Sequence, residues 1–216
     1  VLKGHKNVVH GLAFSHDGKT LATASYDKSV RLWNVDKGQP ISVFNGHQQK
    51  VYAVTFSHDQ KQLIAADATA VTQRWELTTG KVVGKVANQN AKRPQWVHAV
   101  AFSPDARELA SGYGYSPHGR SVVGEVRVRE LVGGREQLRL RGHDNFVYSV
   151  CFSPDGKWIA SGGWDGKVKL WSRASGKVAR TWSGHEGIVL GLAFSPDSRS
   201  VASTGYDQFV RVWGVS

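Results

Sequence analysis

The stretch Arg141–Trp182 reads RGHDNFVYSVCFSPDGKWIASGGWDGKVKLWSRASGKVARTW, and its punctuation decides the fold. Four runs, VYSVCF, KWIAS, KVKLW and KVARTW, are rich in Val, Ile, Trp and Phe, which suit a pleated, partly buried surface. Between the first two, Ser153-Pro154-Asp155-Gly156 sets a Pro where a fixed φ starts a tight turn and a Gly where the chain leaves it. Gly163-Trp164-Asp165-Gly166 makes the next reversal. The stretch therefore predicts one four-stranded antiparallel sheet, which alone would be marginal, with two faces left to cover.

The pattern repeats. Gly-His recurs at Gly4-His5, Gly46-His47, Gly142-His143 and Gly184-His185, and aligning Phe14, Phe56, Phe102, Phe152 and Phe194 divides the chain into five units. Trp33, Trp75 and Trp213 fall in register with Trp171. Phe14 to Phe56 and Phe152 to Phe194 are each 42 residues apart, a period suited to a four-stranded repeat. Recurring together at fixed spacing, these residues resemble the WD-repeat (WD40) β-propeller family over nearly the whole chain. The resemblance implies an all-β fold, a β-propeller of four-stranded antiparallel blades. It implies a single domain over 1–216, with repeats at approximately 4–45, 46–87, 88–141, 142–183 and 184–216. Residues 1–3 would be the tail of a preceding outer strand.

The first run of each unit supports stacked sheets without the family. Its bulky positions are Val9, Leu12, Phe14; Val51, Val54, Phe56; Val97, Val100, Phe102; Val147, Val150, Phe152; and Val189, Leu192, Phe194. A step of three followed by a step of two predicts a β-bulge early in each strand. The alternate positions are small, as at Gly11 and Ala13 or Ala99 and Ala101. A bulky and a lean face on every sheet interlock head to tail.

At 216 residues the five repeats form one cooperative array with a sizeable core. There is no Met and residue one is Val, so a fragment is expected. About seven blades are usual for the family; five units could be part of a larger ring, a small ring or an arc, and the first is preferred. An arc would expose apolar sheet at both ends and self-associate. The lone Cys151 argues against disulfides and metal clusters, and no cofactor is expected. No run is apolar enough to span a bilayer and no signal peptide is seen, which suggests a cytoplasmic protein without membrane contact.

Units one, four and five share a quartet: His5, Thr23, Asp27, Trp33; His143, Ser161, Asp165, Trp171; His185, Ser203, Asp207, Trp213. The residue types match a Ser-His-Asp triad, but catalysis needs one such set, whereas this one recurs in three blades. The preferred reading is structural: a turn carboxylate accepts from the imidazole, whose other nitrogen meets the hydroxyl, which meets the indole N–H. Similar networks are a feature of the family. In unit two Ala65 replaces the hydroxyl residue and Thr69 the Asp, so the quartet around His47 and Trp75 should not close. In unit three Lys92-Arg93 falls near the Gly-His slot, Arg129 replaces Trp, and Ser111 alone persists.

Unit three is also longer. Phe56 to Phe102 spans 46 residues and Phe102 to Phe152 spans 50, insertions of four and eight. Both fall in loops on the same side of an antiparallel meander, predicting a lip from Gln89–Trp96 and Gly112–Gly124 that carries Lys92, Arg93, Trp96, Tyr113, Tyr115, His118 and Arg120. A binding lip and a tolerated insertion stand as equal readings. In the family, partners are often contacted beside the first apolar residue of strand one and just before the turn Asp. The resemblance implies that role for His10, Tyr26, Lys50, Tyr52, Trp96, His98, Phe146, Tyr148, Trp164, Leu190 and Tyr206, in slots also held by Val8, Ala68 and Ile188. With Tyr113 and Tyr115 from the lip, these form an aromatic belt suited to a protein or peptide partner.

The net charge of +11 invites a nucleic-acid reading, and suits an acidic or phosphorylated protein. Against nucleic acid, part of the excess sits in one third-strand slot, Arg31, Arg127, Lys169 and Arg211, with Gln73 in unit two, whose stems should lie on the sheet with the charge in water. There is no Lys/Arg run. There is no phosphate loop, metal spacing or nucleophile elbow either, so no enzyme is expected. The regular units resemble those of bacterial proteins in which such a propeller is the sensor or scaffold for an upstream kinase, protease or NTPase domain. The sequence thus points to a non-catalytic protein-binding scaffold, with a basic RNA- or nucleoprotein-associated propeller and a regulatory part of an enzyme as alternatives.

Overall fold

The structure, a computed structural model, describes residues 1–86, 96–115 and 122–215, with the backbone alone for Trp96 and Tyr115. Among the described residues every regular element is a strand, in five antiparallel sheets. The chain divides into two compact units, Val1–Gln89 and Asn90–Ser216.

The first unit holds two sheets. In the first, β1 (Val9–Phe14), β2 (Thr20–Ser25), β3 (Val30–Asn34) and β4 (Gln39–Phe44) pair in chain order. The second repeats this with β5 (Val51–Phe56), β6 (Gln62–Asp67), β7 (Thr72–Glu76) and β8 (Val82–Val86). The second unit holds three. The third sheet is β9 (Trp96–Phe102), β10 (Glu108–Tyr115), β11 (Val123–Glu130) and β12 (Glu136–His143); the fourth is β13 (Val147–Phe152), β14 (Trp158–Gly163), β15 (Lys167–Ser172) and β16 (Val178–Ser183). The fifth has three strands, β17 (Val189–Phe194), β18 (Ser200–Gly205) and β19 (Val210–Gly214). Residues 1–3, expected to end an outer strand, run as irregular chain.

Local chemistry makes each reversal. Ser153 Oγ donates to Asp155 Oδ1 at 2.6 Å and accepts from Trp158 N–H at 2.9 Å, closing the first turn of the fourth sheet around Gly156, whose φ is +69°. The same Ser-Asp pair recurs at Ser15, Ser57, Ser103 and Ser195.

The faces interlock as the alternation of bulky and small residues implies. In the first unit Val51, Val54, Phe56, Leu63 and Trp75 of the second sheet bury against Ala22, Ala24, Val30, Leu32 and Phe44 of the first. In the second unit Val147, Val150, Phe152, Ile159 and Trp171 cover Ala99, Ala110, Val126, Val128 and Leu140, and Val189, Leu192, Phe194 and Trp213 cover Ala160 and Val168. Each fully buried apolar side chain contributes roughly 1.5–3 kcal/mol, so these joints dominate stability. Their closeness explains the small residues: a Cβ on Gly11 would stand 2.6 Å from the Tyr52 carbonyl oxygen.

All five first strands carry a bulge at the same place. The register shifts between Val9 and Gly11, Val51 and Ala53, Val147 and Ser149, and Val189 and Gly191, and the pairing of β9 with β10 skips one residue between Val97 and Ala99. His10, Tyr52, His98, Tyr148 and Leu190 are the residues these register shifts pass over, so each sits in the bulge of its strand.

Candidate functional site

Two kinds of cluster recur among the sheets, one polar and one aromatic. His5 Nδ1–H donates to Asp27 Oδ2 at 2.8 Å, Nε2 accepts from Thr23 Oγ1 at 2.7 Å, and that oxygen takes the Trp33 Nε1–H at 2.8 Å. A carboxylate only accepts, so the proton belongs on Nδ1 and the chain of donors runs one way. In the fourth sheet His143 lies 3.0 Å from Asp165 and 2.8 Å from Ser161, which takes the Trp171 indole N–H at 2.7 Å. In the fifth, His185 lies 2.9 Å from Asp207 and 2.8 Å from Ser203, which takes that of Trp213 at 2.8 Å.

The Gly of Gly-His has a steric reason. Gly46 holds φ +130°, where a side chain is strained, and a Cβ there would press on the Gln73 amide of β7. Burial works against ionisation of Asp27, yet hydrogen bonds from Ser29, the Lys6 N–H and His5 outweigh it and hold the carboxyl well below the usual range. Asp165 is likewise held low, burial being outweighed by the His143 bond and charge and by the Asp144 and Lys167 amides. Ser161 and Ser203 are fully buried, with the hydroxyl used on both sides. Burial pushes the Cys151 thiol up to about 12. Among the described residues, no group of three or more His, Cys, Asp or Glu side chains could hold a metal ion, and no helix is long and apolar enough to cross a membrane.

Two sheets depart from what the sequence leads one to expect. In the second, His47 does find a carboxylate: Asp67, the last residue of β6, accepts from Nδ1 at 3.0 Å while Thr69 donates to its other oxygen at 2.6 Å. Only the hydroxyl half is missing, and His47 Nε2 is buried without a partner. In the third sheet Tyr113, expected on an exposed lip, is fully buried because β10 and β11 run eight residues each and carry it into the sheet. Its hydroxyl accepts from Arg129 Nη2 at 2.5 Å, Arg127 lies over its ring at 4.7 Å, and Arg127 pairs with the fully buried Glu125, which Arg141 also meets at 3.2 Å. Burial raises the Tyr113 pKa, so the phenol stays neutral.

The third-strand cations are a further correction. Arg127 and Lys169 are buried rather than water-facing, because this slot lies opposite the hydroxyl residue of strand two and therefore beside the polar cluster. Arg211, half-buried, donates to Asp207 at 2.7 Å.

The aromatic clusters are built on the bulges. In the first unit His10 stacks on Tyr52 with centroids 4.8 Å apart, Tyr26 closes on both at 5.5 Å, and Lys50 Nζ lies 4.8 Å over the Tyr26 ring. In the second unit His98 stacks on Tyr148 at 4.6 Å and meets Phe146 edge-on at 5.1 Å, with Trp164 at 5.7 Å from Tyr148. Backbone bonds set these rings: Tyr26 N–H to the Val8 carbonyl, Trp164 to Phe146 and Tyr206 to Ile188, each at 2.8–2.9 Å. Trp164, Leu190 and Tyr206 are exposed. Lys92, Arg93, His118 and Arg120, and the side chains of Trp96 and Tyr115, lie outside the described residues.

The profile of the WD domain, G-beta repeat family matches residues 1–34, 38–70, 134–172 and 176–214, leaving 71–133, with most of the divergent third unit, unmatched. The small ribosomal subunit protein RACK1y of Oryza sativa subsp. japonica is 43% identical over 182 residues, 82% of this chain and 52% of that protein. MST50-interacting protein 11 of Pyricularia oryzae is 44% identical over 173 residues, 79% of this chain and 51% of its own length. The chain thus spans about half the length of the curated relatives it matches, and neither is bacterial, so these relatives lend nothing to the expectation of a bacterial sensor. With its repeats, blade-like sheets and recurring His-Asp-hydroxyl-Trp clusters, the chain belongs to the WD40 repeat family.

Proposed function

We propose that this chain is a non-catalytic scaffold that captures a protein or peptide on a rim of its second unit, built from the strand-one bulges at Tyr148 and Leu190 and the turn residues Trp164 and Tyr206. The observation that carries it is the exposure of Trp164 and Tyr206, each next in sequence to the aspartate of a closed polar cluster, and of Leu190 at the bulge of β17. Large rings held by backbone bonds bury area on binding with little entropy to lose, which is how interface anchors work. The buried Ser161 and Ser203 hydroxyls, with no surface for a substrate, support a structural role for the His-Asp-hydroxyl sets. The name of the Pyricularia relative, an interacting protein, agrees with a protein partner. A photo-crosslinker placed at Tyr206 should trap protein from a cell extract, and one at the exposed Val178 of β16 should not; equal trapping at both would refute the rim.

A second reading rests on charge. The net charge of +11, with a ribosomal-subunit protein among the relatives, favours a cytoplasmic ribonucleoprotein as the surface the scaffold joins. Co-sedimentation with small ribosomal subunits that falls steeply with salt would support it, and no co-sedimentation at low salt would remove it.

A further inference from the structure

Asn45-Gly46 follows β4 and leads into His47, and it differs from the other described asparagines. Asn7 Oδ1 accepts from the Val8 N–H and Asn145 Oδ1 from the Phe146 N–H, each at 2.8 Å. Asn34 Oδ1 accepts from the Lys37 N–H at 2.8 Å, and the Val35 N–H is tied to the Lys19 carbonyl at 2.9 Å. All three precede a bulky residue. Asn45 and Gly46 are both exposed, and among the described residues neither the Asn45 carboxamide nor the Gly46 N–H has a hydrogen-bond partner. The Asp-Gly pairs are closed off too: the N–H groups of Gly18, Gly156 and Gly166 donate to the carbonyls of Ser15, Ser153 and Gly163, and their aspartates accept from Ser15, Ser153 and His143.

We propose that Asn45 is a site of spontaneous covalent modification, converting to aspartate and isoaspartate through a cyclic imide closed by Gly46. The Gly46 nitrogen gives its proton to solvent base and attacks Asn45 Cγ; the new N–Cγ bond closes the ring as the Cγ–Nδ2 bond breaks, and the side-chain nitrogen leaves as ammonia. Water then opens the imide. Attack at Cγ restores the ordinary main chain with an Asp side chain, and attack at the backbone carbonyl leaves isoaspartate, with the main chain running through Cβ and Cγ. Glycine suits the step because no Cβ hinders the approach of its nitrogen. A nitrogen whose hydrogen is held by a carbonyl, or a carboxamide pinned by a neighbouring amide, is not free to reach this geometry, which is why the other pairs are spared. Either product places a new carboxylate at the entry to the second sheet, one residue before Gly46, which already lies against the Gln73 amide.

The test is to age the whole wild-type chain in mildly alkaline buffer made with heavy-oxygen water and to follow the tryptic peptide Gly38–Lys50 by mass spectrometry, with fragmentation that separates aspartate from isoaspartate. Asn45 should take up one heavy oxygen, yield both products, and convert at least about tenfold faster than Asn7, Asn34 and Asn145 in the same sample. An exposed segment without hydrogen bonds opens at almost no cost, so the folded chain should convert within about threefold of the rate in urea. The rate should rise with pH, because the attacking nitrogen must lose its proton. A smaller lead over the other three asparagines, a folded chain slowed beyond that range, aspartate without isoaspartate, or a rate that does not rise with pH would each overturn the proposal.

Discussion

His47 Nδ1 lies 3.0 Å from Asp67 Oδ2, so the second sheet draws its carboxylate from the end of β6 while the first, fourth and fifth draw theirs from the turn that follows. A carboxylate two residues early still reaches the imidazole because Thr69 and the Val71 amide bind its second oxygen and turn it inward. What remains open is the other side of the ring, where Nε2 is buried and unpartnered.

Ala65→Ser should therefore stabilise the chain. The new hydroxyl stands where Thr23, Ser161 and Ser203 bind His and Trp in their own sheets. A gain of about 1 kcal/mol is expected, read as a raised urea midpoint at unchanged slope. An unchanged or lowered midpoint would show that His47 needs nothing there.

Acid should weaken the fourth-sheet cluster in a defined window. Asp165 is held below the ordinary value of 3.8, so the unfolded chain takes up a proton before the folded one as pH falls. Its contribution is complete above roughly pH 4 and drains away below that. The stability gap between wild type and Asp165→Asn should narrow as pH falls below about 4, measured by urea melts; a constant gap would contradict the assignment.

The third sheet should be the most sensitive to loss of one carboxylate. Glu125→Gln leaves the buried Arg127 without its counter-charge and should cost about 3–5 kcal/mol. Tyr113→Phe, which removes one hydrogen bond to Arg129, should cost less, about 1.5–3 kcal/mol. Thermal unfolding of the two variants ranks them, and the reverse order would be inconsistent with a buried ion pair at the centre.

These sheets also mark where the residues are and are not legible. The five units, the bulges and the bulk-against-lean packing follow from local spacing, because side-chain size alternates with the pleat. Substituted networks do not follow, because a partner is chosen by reach across strands. Counting to the turn position passes over Asp67, though an Asp at a strand end two residues before Thr69 is its signal. Tyr113 reads as exposed because its stretch looks like an insertion, and only the lengthened β10–β11 pairing shows it folded inward opposite Glu125.

His98 should be replaceable to advantage. Its Nε2 is buried without a partner, and burial pushes the ring's pKa below 6.5, so the folded state loses stability as pH falls through that value. His98→Phe keeps the stack on Tyr148 and removes the unpaired nitrogen, and should raise stability by about 1 kcal/mol with a flatter profile below pH 6.5. Urea melts across that range check both.

The rim itself is tested most directly by selecting a random peptide library on the wild-type chain and measuring how tightly the selected peptides bind a double variant, Trp164→Ala combined with Tyr148→Ala. These two substitutions remove the exposed ring and the neighbour it packs on. The account predicts that the selected peptides lose about thirtyfold or more in affinity, on the order of 2 kcal/mol, while the melting temperature of the double variant stays near that of the wild type. Peptides that bind the double variant as tightly as the wild type would contradict it.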